Sequence, residues 1–365
     1  VSFMTARRFF ISQPKHLLAY GLGVAILLAL PEFIPNEYVF RVVIAVIIDI
    51  PLALAQNLIT GFTGMLTLGQ AAFYGIGAYT SALLVMRMGA PWPVAFLAAG
   101  FVACVFGILL GFPCLRVGSD YLTLMTIGFG EIFHIVALNW MDLTRGPMGL
   151  PGVPPPRIGP LVFNTSQRQY YLYLVIAILC YLFMHRLTRS HVGRALIAVR
   201  EDEIAASTMG INVARYKLLA FAFGTLWAGF SGSLLAHFLA FVGPMTFSLN
   251  ESLFHMQMAI LGGLGSLPGS VLGAAILVSL PQIFQPLYEY RMLLNGGLMV
   301  ILMAWRPQGI MGTSAAAKSA KGHFFKQLGR LFGREETDST ESSGRFKPST
   351  RQPPSEELSD GPIEG

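Results

Sequence analysis

Apolar positions along this chain gather into long uninterrupted runs rather than into the spaced stripes of a soluble helix or strand. Runs of the length that carries a helix across the hydrocarbon core of a bilayer, about 17–25 residues, occupy residues 17–34, 39–59, 93–113, 121–140 and 170–187. A sixth, residues 65–86, is less apolar and dense in glycine, a composition that lets helices approach closely in lipid. After a polar gap come residues 218–241, a short weak run at 249–264, and further runs at 267–287 and 292–305. The pattern predicts an all-α polytopic membrane protein of about ten crossings. Pro31-Glu32-Phe33 stands where a small-residue cleavage site would be, so the first run reads as a span rather than a removable leader.

Two gaps between runs carry their own signals. Residues 141–169 hold Gly146, Gly149, Gly152 and Pro154-Pro155-Pro156, too many helix breakers for a span. They form an expected external loop and a contact surface for an external partner. Between His185 and Lys217 the chain carries Arg186, Arg189, Arg194, Arg200, Arg215 and Lys217. There Gly193-Arg194-Ala195-Leu196, and then Arg200 to Gly210, read as a short helix closed by glycine.

Composition agrees with the runs: 54% of residues are hydrophobic and only 12% charged, about half the charge of a soluble domain. The net charge of +6 is read as loop orientation and not as a nucleic-acid footprint, because basic loops stay cytoplasmic. Arg7, Arg8 and Lys15 in residues 1–16, the basic loop 188–217, and Arg306, Lys318 and Lys321 after the last run are separated by even numbers of crossings. Both termini are therefore expected in the cytoplasm. Residues 313–365, rich in Ser, Thr, Glu, Pro and Lys, form an expected disordered tail. Within it Phe324, Phe325, Leu328, Leu331 and Phe332 alternate with Lys326, Arg330 and Arg334, either as an amphipathic helix lying on anionic lipid or as unstructured chain.

Motifs exclude more than they assign. No G-x-x-x-x-G-K-[ST] loop and no H-E-x-x-H occur in these 365 residues, so ATP chemistry would need a separate subunit, and nothing supports an enzyme. Cys104, Cys114 and Cys180 lie in or beside apolar runs without paired spacing and read as packing residues. Ionisable groups inside spans are costly and tend to face a pathway or a partner. Asp49, followed by Gln56 and Asn57, lies in the run 39–59, and Glu131 with His134 share one helix face in the run 121–140. A Glu-x-x-His pair is half of a di-iron site, but the second half is missing, so no metal is expected. His237, Glu251, His255 and Gln257 are read as structural pairs or pathway groups. Gly61-Phe62-Thr63-Gly64-Met65-Leu66 and Gly262-Gly263-Leu264-Gly265-Ser266-Leu267 share G-x-x-G-x-L before small-residue runs. Matched glycine-rich breaks of this kind flank substrate routes in duplicated transporters, or are two packing faces.

Four stretches carry a resemblance to a known family. They are Asn57 to Thr80, with its glycine-rich core Gly61-Phe62-Thr63-Gly64; Leu115 to Ile132; Gly193 to Asn212; and Ala259 to Gly269. Together these resemble the hydrophobic permease subunits of bacterial ABC importers for branched-chain amino acids, specifically the second of the two, across residues 40–312. The resemblance implies a type II ABC importer-like permease fold in the bacterial inner membrane. It also implies a second homologous permease, two cytoplasmic ATPases that bind ATP and magnesium, and an external substrate-binding protein as partners, with no cofactor in this chain. It makes residues 188–217 a coupling loop, its Ala-Ala-x-x-x-Gly core at Ala205, Ala206 and Gly210 sinking into an ATPase cleft. Arg194, Arg200, Glu201, Asp202 and Glu203 are then expected at the rim. Gly64, Gln70, Glu131, His134 and Asp49 are the expected pathway residues. Met65 and Gln70 depart from the family's usual polar residue and histidine, and Arg145 and Met148 depart from its loop pattern. Urea or short amides are therefore the alternative substrates, and a stand-alone secondary transporter or channel the alternative mechanism.

Overall fold

A computed structural model of the chain describes residues 36–117 and 119–283, together with residues 31, 296–297, 300 and 309–311. The expected runs at 17–34 and 292–305 lie almost wholly outside the described residues, as do residues 1–16 and the tail 313–365 with its apolar and basic stretch.

Helix α1 (Glu37–Gln56) opens at Asn36, whose side chain accepts a hydrogen bond from the backbone N–H of Tyr38 at 3.0 Å, an N-cap that satisfies one of the orphan donors of the first turn. Pro51 removes a backbone donor inside α1. The helix then widens into a π-helical segment, Asn57–Phe62, a local form that concentrates at functional sites. There follow α2 (Gln70–Met88), α3 (Trp92–Val117), α4 (Ser119–Asn139) and the single turn α5 (Met141–Thr144). Next come α6 (Ser166–Arg189), α7 (His191–Glu201), α8 (Glu203–Thr208), α9 (Val213–Leu239), α10 (Leu249–Gly262) and α11 (Leu267–Ile283).

Among the described residues, five helices are long and apolar enough to cross a membrane: α1 with its π extension, α3, α4, α6 and α9. α11 is apolar but shorter. α10, at 14 residues, rises about 21 Å, less than the roughly 30 Å of a hydrocarbon core.

The expected helix at 65–86 starts later, at Gln70. Residues 63–69 are turn and irregular chain, because Gly64 takes a left-handed φ of +75°, which ends the preceding helix cheaply. Backbone polar groups in such a segment must find partners within the protein, and distant side chains supply them. Thr126 Oγ1 accepts from Leu68 N–H at 3.2 Å, Thr123 Oγ1 donates to Leu66 O at 2.8 Å, and Gln56 Nε2 donates to Thr67 O at 3.0 Å.

α9 lies at the centre, against α1, α2 and α3. Small residues set the distances: a methyl group at Gly77 would overlap the Gly229 carbonyl, and one at Gly232 would overlap the Tyr74 carbonyl. Close backbone approach replaces a hydrophobic driving force that lipid does not supply. Phe96 stacks on Phe230 at 4.6 Å beside these contacts. By contrast the outer faces of α3 and α4 are bare, with Leu97, Phe101, Val105 and Leu109 on one and Leu124, Ile132 and Val136 on the other exposed. An apolar outward face is what a helix presents to lipid or to another apolar subunit.

Loops collect at two ends. One end holds the α1–α2 turn, α7 and α8, and the α10–α11 turn, against which the N–H groups of Ile310 and Met311 bond to Leu261 O (2.9 Å) and Gly262 O (3.0 Å). The opposite end ties residues 140–165 to residues 240–248 through a two-residue ladder, β1 (Leu150–Pro151) with β4 (Phe241–Val242). A hairpin of β2 (Arg157–Ile158) and β3 (Leu161–Val162) completes it. Among the described residues these short ladders are the β-structure beside the helices. His237 fixes the same loops to the bundle: Nε2 lies 2.9 Å from Ser81 Oγ, Nδ1 lies 2.6 Å from Pro154 O, and Ser233 Oγ donates to Ser81 Oγ at 2.7 Å.

Candidate functional site

The basic loop folds as two helices. Ser190 caps α7, accepting from Val192 N–H at 3.2 Å, and α7 buries Gly193, Ala195, Leu196 and Val199. Extended backbone at Asp202 (φ −159°, ψ 113°) separates α7 from α8, so the single helix expected from Arg200 to Gly210 is broken there. Asp202 caps α8 instead, its Oδ1 accepting from Ile204 N–H (2.8 Å) and Ala205 N–H (2.9 Å). Gly210 ends the turn at φ +83°.

Side chains of this loop divide between inside and outside. Ala206 is buried, while Ala205, Glu201 and Asp202 are exposed. Arg194 is exposed and reaches back along α7, with Nη2 2.8 Å from His191 Nδ1 and Nη1 3.4 Å from Arg189 O. Glu203 pairs with Lys217 at 2.5 Å, and that lysine side chain is 4% exposed against 49% for the glutamate. Two residues that charge reasoning passed over stand out: Ile204 is 78% exposed and Met209 82%. Their signal was an apolar residue near each end of an otherwise polar turn.

Arg200 points inward rather than standing at a rim. Its Nη1 donates to Gly61 O at 2.6 Å, and its side chain lies so close to Gly64 and Gly265 that an added Cβ would meet it at 3.3 and 3.1 Å. The two G-x-x-G-x-L motifs are thus brought together under one guanidinium. Asn57 joins them from within: Oδ1 accepts from Gly265 N–H at 2.8 Å, and Nδ2 donates to Ser266 O at 2.9 Å and Ser270 Oγ at 2.5 Å.

A second polar group lies deeper. Asp49 sits about 18 Å along α1 from Glu37 and about 20 Å from Phe62 at 1.5 Å per residue, near the middle of the Glu37–Phe62 rod. A charge at such a depth costs about 2.5–3.5 kcal/mol on insertion scales. Glu251 stands in the first turn of α10, a helix that packs both on α1, which carries Asp49, and on α2, which carries Tyr74. Glu251 Oε1 is 3.7 Å from Nε2 of His255, which is fully buried, and the Tyr74 ring meets His255 edge-on at 5.5 Å. Ser252 Oγ accepts from Ala71 N–H at 3.0 Å, pinning α10 to the start of α2.

The remaining expected pathway residues are distributed. Gln70 opens α2 and is 1% exposed, its Nε2 without a hydrogen-bond partner. Gly64 lies at the basic end, against Arg200. Glu131 is exposed on α4, and His134 Nδ1 lies 3.1 Å from Pro244 O. Asp49 and Gln70 therefore belong near the α1, α2 and α10 contact, Gly64 to the α1–α2 turn, and the Glu131–His134 face to α4. Among the described residues no three His, Cys, Asp or Glu side chains converge as a metal site, and Cys104, Cys114 and Cys180 are free thiols.

Residues 38–303 match the family model described as branched-chain amino acid transport system / permease component. The chain is 40% identical to the high-affinity branched-chain amino acid transport system permease protein LivM of Salmonella typhimurium over 287 residues, 72% of this chain and 68% of that protein. It is 30% identical to the corresponding permease protein LivH of Escherichia coli, over 73% of this chain and 92% of that one. A probable branched-chain amino acid transport permease protein LivM of Methanocaldococcus jannaschii is 23% identical, over 60% and 67%.

Proposed function

Because the chain belongs to the family of branched-chain amino acid transport permease components, we propose that it is one of two similar membrane subunits of an ATP-driven importer. Its substrates are branched-chain or related apolar amino acids. In this reading the chain crosses a bacterial inner membrane about ten times with both termini inside, and cytoplasmic ATPases dock on α7 and α8. An external binding protein delivers substrate to the end built from residues 140–165 and 240–248. No bond of the substrate is made or broken here, and ATP and its magnesium are held by the partner subunits.

The observation that carries this reading is the path from a solvent-exposed helix to the bundle interior. Ile204 and Met209 project from α8 as two uncovered apolar side chains, the kind of anchor that fills a partner's pocket. At the end of the adjoining helix α7, Arg200 holds Gly61, and Asn57 holds Gly265 and Ser266. Movement imposed on α7 and α8 therefore reaches both glycine turns. A ligand moves such an equilibrium only by its differential affinity for the two states, so the ATPases must grip α8 differently before and after they close.

Purification of the tagged chain in mild detergent tests the assembly. An ATP-binding protein and a second permease are expected to accompany it. Transport by the isolated chain in liposomes, with neither present, would count decisively against the reading.

A further inference from the structure

Asp49 of α1 and Glu251 of α10 stand on two helices that pack against each other. Both are only partly buried, so they face a space or a surface rather than being sealed in the core. Among the described residues no lysine or arginine is paired with Asp49. Close by is His255, fully buried, with neither ring nitrogen in a hydrogen bond and Nε2 directed toward Glu251 at 3.7 Å. Glu251 and His255 are one turn apart on α10, and Gln70 and Tyr74 are one turn apart on α2, so each pair shares a helix face. The Ser252 to Ala71 hydrogen bond holds these two helices together at this level. Gln70 adds a buried amide donor without a partner.

Such a set has the chemistry to receive a visiting cation, and next to it lies a buried aromatic cluster. Tyr74 contacts Phe247 at 5.5 Å, and Phe247 also meets Tyr79 at 6.1 Å and Phe133 at 6.4 Å. A polar pole joined to an aromatic pole through Tyr74 matches a molecule with a charged head and an apolar side chain. We propose that Asp49, Glu251 and His255 form a station within the bundle that holds the ammonium group of the transported amino acid. Gln70 faces the carboxylate of the amino acid, and the side chain of the amino acid lies toward Phe247. This inference rests on the permease reading above and deepens it, since an importer need not hold its substrate at any fixed point in the membrane.

The experiment is uptake of radiolabelled leucine into liposomes containing the complete assembly with its binding protein, measured beside stimulated ATP hydrolysis. In Asp49→Asn/Glu251→Gln, which keeps shape and removes both charges, uptake is expected to fall about tenfold or more, as for loss of charge-assisted hydrogen bonds. Hydrolysis stimulated by the loaded binding protein should stay within about twofold of the unaltered assembly, because α8, on which the ATPases dock in this reading, is untouched. Unchanged uptake in the double variant would overturn the station and leave the permease reading standing. Absence of leucine uptake by the unaltered assembly would overturn the reading itself. Should the double variant not assemble, each single variant carries the test, and full uptake in both overturns the proposal. Ionophores that collapse sodium and proton gradients are expected to leave uptake unchanged. A comparable loss on their addition would assign the carboxylates to a coupling ion and overturn the proposal.

Discussion

The guanidinium of Arg200 donates to the carbonyl oxygen of Gly61 over 2.6 Å, across 139 positions of sequence. It ties α7 to the π-helical segment at the end of α1. Arg200→Ala should therefore separate the two activities of the assembly, with stimulated hydrolysis persisting and uptake falling about tenfold or more, as for loss of a hydrogen bond to a charged group. Arg200→Lys keeps the charge but not the planar fork, and uptake should lie between the two. Parallel assays of hydrolysis and uptake in liposomes check this, and equal loss of both would argue against a transmitting role.

Ile204→Asp and Met209→Asp place a charge where each side chain is now bare to solvent. Neither should alter insertion or folding of the chain, since surface changes of this kind rarely exceed about 0.5 kcal/mol. Each should weaken retention of the ATPases, because burying such a side chain is worth about 1.5–3 kcal/mol. Size-exclusion chromatography of the assembly gives the measurement.

Asn57 satisfies three backbone or side-chain partners from one amide. Asn57→Ala leaves the partly buried Gly265 N–H without its acceptor, at about 1–3 kcal/mol, while Ser266 O keeps the N–H of Ser270. Thermal unfolding in detergent should drop by several degrees. Asn57→Asp should not rescue, because a carboxylate oxygen would then face the Ser266 carbonyl.

The Glu203–Lys217 pair is asymmetric: the lysine is buried and the glutamate half exposed. Removing the glutamate takes the carboxylate from a buried ammonium and should cost about 2 kcal/mol or more, whereas Lys217→Met leaves a carboxylate that water can reach. The double variant Glu203→Ala/Lys217→Met should be more stable than Glu203→Ala alone. A double-mutant cycle on unfolding midpoints reads this coupling.

Much of the helical frame was legible because run length alone identifies an apolar rod. The run at 39–59 became Glu37–Phe62, and the run at 218–241 became Val213–Leu239. The start of α2 was not legible, since the partners that let residues 63–69 leave the helix are Thr123 and Thr126, far away in sequence. The repeated glycine motif was visible as letters. Its meaning, two turns held under Arg200, depends on contacts between positions 61, 200 and 265 that no local pattern reports. Charge led Arg200 to be placed at a rim, because a sequence shows that an arginine is present and not which way it points. Tyr74 and Phe247 drew no notice as ordinary aromatic residues in apolar runs, although Tyr74 packs edge-on against both Phe247 and His255.

The histidine of α9 is held in one protonation pattern by its two partners. A carbonyl can only accept, so Pro154 O obliges Nδ1 of His237 to carry the proton, and the neutral ring must then accept at Nε2 from Ser81. Ser81 in turn receives from Ser233, so the chain Ser233, Ser81, His237, Pro154 has a single direction and selects one imidazole tautomer. A second proton on that ring would force Ser81 to turn around, and the seat on which the proline-rich loop rests would lose its polarity at the first link.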